Sequence, residues 1–150
     1  MVRKTLPVIF IISLTCIIYL PTLKGGFLLD DYPNIVNSSG IKIPITDFES
    51  FYSMAKSGVS SRIGRPFSVL SFGLNYNFSG LDPLCFRLTN LAIHIVNSIL
   101  LFLLASTLVN NYIGLKKDSF SECIPFVLAV VWAVHPINVS SVAYIVQRMN

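Results

Sequence analysis

Asp30 and Asp31 stand side by side in Gly25-Gly26-Phe27-Leu28-Leu29-Asp30-Asp31-Tyr32-Pro33-Asn34, directly after a long apolar run. Two neighbouring carboxylates repel each other and resist losing water, so they recruit a cation or a proton, or act as base and partner. Three readings stay open: a general base, a divalent cation held at Asp30/Asp31, and a solvated loop start where Asp31 closes an Asx-turn before Pro33.

Arg87, Asn90, His94 and Asn97 recur at spacings of three, four and three, one face of a helix. On a Leu/Ile/Phe helix such a stripe faces protein or a wet cavity rather than lipid. It reads either as a site for a polar head group or as hydrogen-bonding glue between helices. Arg62-Ile63-Gly64-Arg65-Pro66 offers two guanidiniums beside a glycine, a phosphate clamp or a pair of snorkelling interface arginines. Arg148 carries the same ambiguity, and His135, ahead of Pro136, is a ligand candidate or a packed ring. Asn37-Ser38-Ser39, Asn77-Phe78-Ser79 and Asn138-Val139-Ser140 fit a glycosylation pattern short enough to arise by chance.

The elements that must position these groups are membrane helices. Apolar residues make up 53% of the 150 and charged ones 12%, about half the charge of a soluble domain. Mean hydropathy is +0.70. Thr5 to Leu23 is long enough to cross a core of roughly 30 Å. A signal peptide is the competing reading, but no small-x-small cleavage site follows, which favours an uncleaved anchor. Arg3 and Lys4 before it, and Lys116 and Lys117 after the second apolar run, put the N-terminus in the cytoplasm and residues 24–87 outside. Leu88 to about Val109 reads as the second span and residues 120–136 as a short third, broken at His135 by Pro136, with a new helical segment from Ile137 to Met149.

The loop is too long to be structureless. Short interfacial helices are expected at Ile45–Ala55, capped by Thr46 or Asp47 with Phe48, Phe51, Tyr52 and Met54 on the apolar side, and at about Pro66–Tyr76, anchored by Phe67, Leu70, Phe72 and Leu74. The net charge of +4 is spread without a basic stripe, which excludes a nucleic-acid binder. Cys16, Cys85 and Cys123 form neither a disulfide framework nor a zinc motif.

Taken in order, Phe27-Leu28-Leu29-Asp30-Asp31, Gly64-Arg65-Pro66-Phe67-Ser68, Gly80-Leu81-Asp82-Pro83, Leu88 through Asn97, and His135-Pro136-Ile137-Asn138-Val139 resemble the N-terminal part of GT-C-type membrane glycosyltransferases. Many of these carry C-terminal tetratricopeptide repeats, and the animal transmembrane O-mannosyltransferases belong to the same broad group. Tyr144-Ile145-Val146-Gln147-Arg148-Met149 looks like the form found in many bacterial members, whose place is the inner membrane. The resemblance implies a catalytic acid in the first extracytoplasmic loop, at Asp30 or Asp31 with Asp31 slightly preferred, and a polyprenyl-phosphate-linked sugar as donor. It also implies a protein or glycan hydroxyl as acceptor, and Arg65, His94 and His135 lining the cavity. Many relatives have a glutamate where this chain has Ser140. They also have more spans than 150 residues hold, so the resemblance implies the front end of such an enzyme.

The sequence thus predicts an all-α integral membrane protein with three spans. Sugar transfer is the expected chemistry, with Asp30 and Asp31 catalytic and Arg65, Arg87, Asn90, His94, Asn97, His135 and Arg148 around the donor. The rivals are a non-catalytic membrane subunit that needs a partner chain, and a small lipid-binding or transport protein using the same polar stripe.

Overall fold

A computed structural model describes residues 2–57, 65–111 and 119–149, and in these every regular element is helical. Six α-helices run as α1 (Val2–Tyr19), α2 (Phe48–Lys56), α3 (Pro66–Ser79), α4 (Pro83–Asn111), α5 (Ser119–Ala133) and α6 (Val139–Ala143), joined by single helical turns. Thr5–Lys24 and Pro83–Asn111 are long and apolar enough to cross a membrane, and Cys123–Ala133 with Pro136–Ala143 is a bent pair that makes a third if counted as one span. The chain is an all-α membrane protein. Arg62, Gly64, Lys116, Lys117 and Asp118 lie outside the described residues.

The second long helix starts at Pro83, five positions before the expected Leu88. Proline suits the first turn, where its missing N–H has no partner to lose, and Asp82 Oδ1 accepts the Leu84 N–H at 3.0 Å as a cap. Arg87 is therefore inside α4 instead of at its edge. Within the helices, Thr15, Ser98, Ser106 and Thr107 turn their hydroxyls back onto carbonyls four residues earlier, which removes the polar groups from lipid.

The chain divides into two units. The first, Met1–Pro21 with Leu91–Val139, packs α1 on α5 around Ile11, Phe102 and Ala129. Its telling feature is the end of α5. Pro136 has no N–H to give the Trp132 carbonyl, and the Ile137 N–H, which would serve Ala133, goes to His135 Nδ1 at 3.2 Å. The Trp132 oxygen accepts the His135 N–H at 3.2 Å and Asn138 Nδ2 at 2.7 Å. His94 Nε2, at 2.9 Å, and the Tyr19 hydroxyl, at 3.3 Å, take the Ala133 oxygen. A carbonyl only accepts, so His94 holds its proton on Nε2.

The second unit, Thr22–Asn90 with Ser140–Asn150, is built on α2 and α3. Its core joins Ile35, Ile41, Met54, Val69, Phe72 and Phe86 to Ile145, Val146 and Met149. Asp47 caps α2 by accepting the Ser50 N–H at 2.8 Å, while the Ser50 hydroxyl accepts the Asp47 N–H at 3.1 Å. Met54 sits where a side chain at Gly73 would be. The expected apolar side of α2 is thereby divided: Met54 is buried in the core, whereas Phe48 (81% exposed), Phe51 and Tyr52 face out. On α3, Phe72 and Leu70 likewise turn inward while Phe67 and Leu74 are exposed.

Candidate functional site

The two aspartates meet opposite fates. Asp31 is fully buried, with Oδ2 accepting the Leu28 N–H at 2.9 Å and Oδ1 accepting the Val146 N–H at 2.8 Å. Burial pushes its carboxyl above the usual carboxylate range; the two backbone N–H bonds and the charge of Arg87 work in the other direction. Asp30 is exposed. Its N–H donates to the Tyr144 hydroxyl at 3.0 Å, and its carbonyl accepts the Asn34 side-chain amide at 2.8 Å. Of the two candidate acids, Asp31 is thus buried with each oxygen accepting a backbone N–H, and Asp30 is the one open to solvent.

The turn that separates them is strained. Leu29 adopts φ +36°, a left-handed conformation that costs a side-chain-bearing residue on the order of 1 kcal/mol or more. The Asp31 N–H closes the turn onto the Leu28 carbonyl at 2.7 Å. Such a conformation persists only where its surroundings hold it.

Arg87 supplies part of that hold. It is 2% exposed; its Nε donates to the Ala143 carbonyl at 3.0 Å and its Nη2 to the Gly26 carbonyl. Nη1 is buried with no hydrogen-bond partner among the described residues. The guanidinium lies against Gly25, which is why that position carries no side chain. Arg148 is more fully engaged. It donates to Asn90 Oδ1 at 2.7 Å, Ser71 Oγ at 3.1 Å, Asn75 Oδ1 at 2.8 Å and the Phe86 carbonyl at 2.8 Å. It also lies over the Phe72 ring, 4.6 Å from its centre. Burial lowers its pKa to about 10, so it stays charged at neutral pH. Asn90 adds its amide to the Val142 and Ile145 carbonyls.

This unit therefore gathers Asp30, Asp31, Arg87, Asn90 and Arg148 about one segment, residues 142–148. Arg87 and Asn90 of the stripe, and Arg148 outside it, all hydrogen-bond to protein groups there. Arg65 belongs to the same unit, exposed at the start of α3 with φ +47°. His94, Asn97 and His135 belong to the other unit. His94 is buried between Tyr19 and Trp132, stacked on the latter at 5.0 Å. His135 is exposed, its Nδ1 capping the turn at Ile137, and Asn97 is exposed on α4.

Asp31 presents N–H-bonded oxygens, and no group of three His, Cys, Asp or Glu among the described residues could hold a metal. Residue-type reasoning missed Tyr144, Asn34 and Gly25. The signal available for Gly25 was its pairing with Gly26 just ahead of the acids. Tyr144 offered only a hydroxyl in an apolar run.

Helical membrane segments and an acid-bearing loop clasped by a distant segment define the class of this chain. It is similar to animal protein O-mannosyl-transferases. Protein O-mannosyl-transferase Tmtc1 of Drosophila melanogaster is 32% identical over 144 residues, which cover 92% of this chain and 16% of that protein. Human TMTC1 is 32% identical over 145 residues, 91% of this chain and 15% of the relative. The Caenorhabditis elegans protein O-mannosyl-transferase F38B6.6 is 30% identical over 145 residues, 93% and 20% respectively. The chain thus spans at most 20% of the length of these three relatives. No family model and no solved structure matches it.

Proposed function

We infer that this chain is a section of a membrane glycosyltransferase that moves a sugar from a polyprenyl-phosphate donor to a hydroxyl on a protein. Similarity to proteins named O-mannosyl-transferases over more than nine-tenths of the chain supports the class, and mannose is the sugar their name carries. The observation that carries the chemistry is Asp30: an exposed carboxylate on a strained turn, fixed by hydrogen bonds at both its N–H and its C=O.

In this reading Asp30 takes the proton of the acceptor hydroxyl as that oxygen bonds to the sugar's anomeric carbon. The bond from that carbon to the donor phosphate breaks, and the phosphate leaves with the electron pair. Arg65, exposed in the same unit, is the proposed contact for the charge that builds on it. Asp31 and Arg87 are assigned to holding the loop. The positive N-terminal flank supports an extracytoplasmic loop. The likeness of the Tyr144–Met149 stretch to bacterial members is the ground for an inner-membrane setting, whereas the relatives reported above are animal proteins.

The test is transfer from polyprenyl-phosphate mannose to a serine- and threonine-rich peptide by the full-length protein in membranes. Asp30→Asn should lower the rate by roughly 10²- to 10⁴-fold with folding intact. Full activity in that variant rejects the role. The engagement of Arg87, Asn90 and Arg148 by protein favours a second reading, a non-catalytic membrane subunit. Co-purification with another membrane chain, together with no transfer by the full-length wild type, would select it.

A further inference from the structure

Resting on the assignment of Asp30 as base, we propose that Tyr144 is the positioning residue that aims its carboxylate. Beside the turn's own backbone bonds, three contacts made by side chains restrain the loop on the N-terminal side of Asp31. Arg87 holds the Gly26 carbonyl, Asp31 Oδ2 holds the Leu28 N–H, and the Tyr144 hydroxyl holds the N–H of Asp30 itself. The first two act below the turn. Tyr144 acts on the peptide between Leu29 and Asp30, next to the residue at φ +36°.

That peptide is where strain would be released. A left-handed Leu29 relaxes by rotating its φ and ψ, and this rotation swings the Leu29–Asp30 peptide and the Asp30 side chain with it. The hydrogen bond to Tyr144 blocks the movement, and Asn34 holds the carbonyl on the other side of Asp30 at 2.8 Å. The Tyr144 ring is well placed to serve as an anchor, since it packs partly buried against the core of its unit while its hydroxyl reaches the rim. Ring and hydroxyl thus do separable jobs. Removing the oxygen alone leaves the packing in place and releases the N–H side of the peptide, whose carbonyl stays on the Tyr32 N–H at 3.1 Å.

Misplacement of a reacting group by about 1 Å costs about 10²-fold in rate, and this sets the size of the effect to be sought. In the full-length protein in membranes, assayed with polyprenyl-phosphate mannose and the same peptide, Tyr144→Phe should reduce kcat by roughly 10- to 100-fold. KM for both substrates should stay within about twofold, and the melting temperature close to wild type. Amide exchange at residues 28–31 should quicken. In an Asp30→Asn background the same substitution should cause no further loss, because a residue that works through Asp30 has nothing left to aim.

Wild-type kcat in Tyr144→Phe, with Asp30→Asn inactive, overturns the positioning role and leaves the base assignment standing. A loss that adds to that of Asp30→Asn also overturns it. Full activity of Asp30→Asn rejects the base and the positioning role together. Should Tyr144→Phe melt early, Asn34→Ala removes the shorter of the two bonds on the Asp30 carbonyl without touching the ring, leaves the backbone N–H at 3.4 Å, and must show the same kcat-against-KM split.

Discussion

The guanidinium of Arg87 occupies the space that a side chain at Gly25 would need: a Cβ there would stand 2.6 Å from both Nη1 and Nη2. Gly25→Ala must therefore push the guanidinium off the Gly26 and Ala143 carbonyls. The expected cost is about 1–3 kcal/mol, read as a lower melting temperature of the full-length protein in detergent. Gly26→Ala meets nothing within 4 Å and should fall within about 0.5 kcal/mol of wild type. Equal effects at the two glycines would show that Arg87 does not fill the first.

Asp31 and Asp47 should shape acid stability in opposite senses. Burial raises the Asp31 carboxyl above its ordinary value, so the folded chain holds that proton more firmly than the unfolded one. This contribution favours folding at low pH and is lost as pH rises through the raised value. Hydrogen bonds from Ser50 lower the Asp47 carboxyl, giving a contribution present above the ordinary value and lost as pH falls through the lowered one. Melting curves from about pH 3 to pH 7 should lose the first slope in Asp31→Asn and the second in Asp47→Asn. Parallel curves in all three proteins would refute the assignment.

Arg148→Lys keeps the charge and discards the fork. A lysine cannot reach Asn90, Ser71, Asn75 and the Phe86 carbonyl together, nor lie flat on Phe72. Destabilisation of at least about 2 kcal/mol is expected from the stranded acceptors. Transfer activity per folded molecule should be retained, because none of the donors of Arg148 is given a role in chemistry. A rate loss without a stability loss would return this residue to the phosphate.

Ala133 carries the fourth prediction. His94→Leu removes the closer of two donors to its carbonyl and should cost about 0.6–2 kcal/mol, the range for hydrogen bonds between membrane helices. Tyr19→Phe, whose bond is longer at 3.3 Å, should cost less. The double variant should cost more than the sum, since only then is the carbonyl abandoned. Simple additivity by denaturant unfolding would contradict a shared acceptor.

The spans were legible because lipid demands long apolar helices and little else does. The cap of α2 and the break at His135 were legible for equally local reasons: Asp47 ahead of Ser50, and a proline. The partners of the polar stripe were not. Spacing places Arg87, Asn90 and His94 on one face, but their acceptors are the carbonyls of Ala143, Val142, Ile145 and Ala133, and any residue type has a carbonyl. Pro136 offered the one clue, since the carbonyls it leaves orphaned must be met from elsewhere. The difference in burial between Asp30 and Asp31 was likewise hidden. Both are aspartates at adjacent positions, and what separates them is the backbone at Leu29, which composition does not encode.

The clasp also sets a timetable. Asp31 and the Val146 N–H it accepts are 115 positions apart, and at roughly 5–20 residues per second the ribosome needs about 6–23 s to deliver the second after the first. Through that interval the nascent loop has emerged with its buried carboxylate unmatched, and Arg87 still lacks Ala143. The acid turn must therefore be among the last pieces to set, after the third apolar segment has been synthesised.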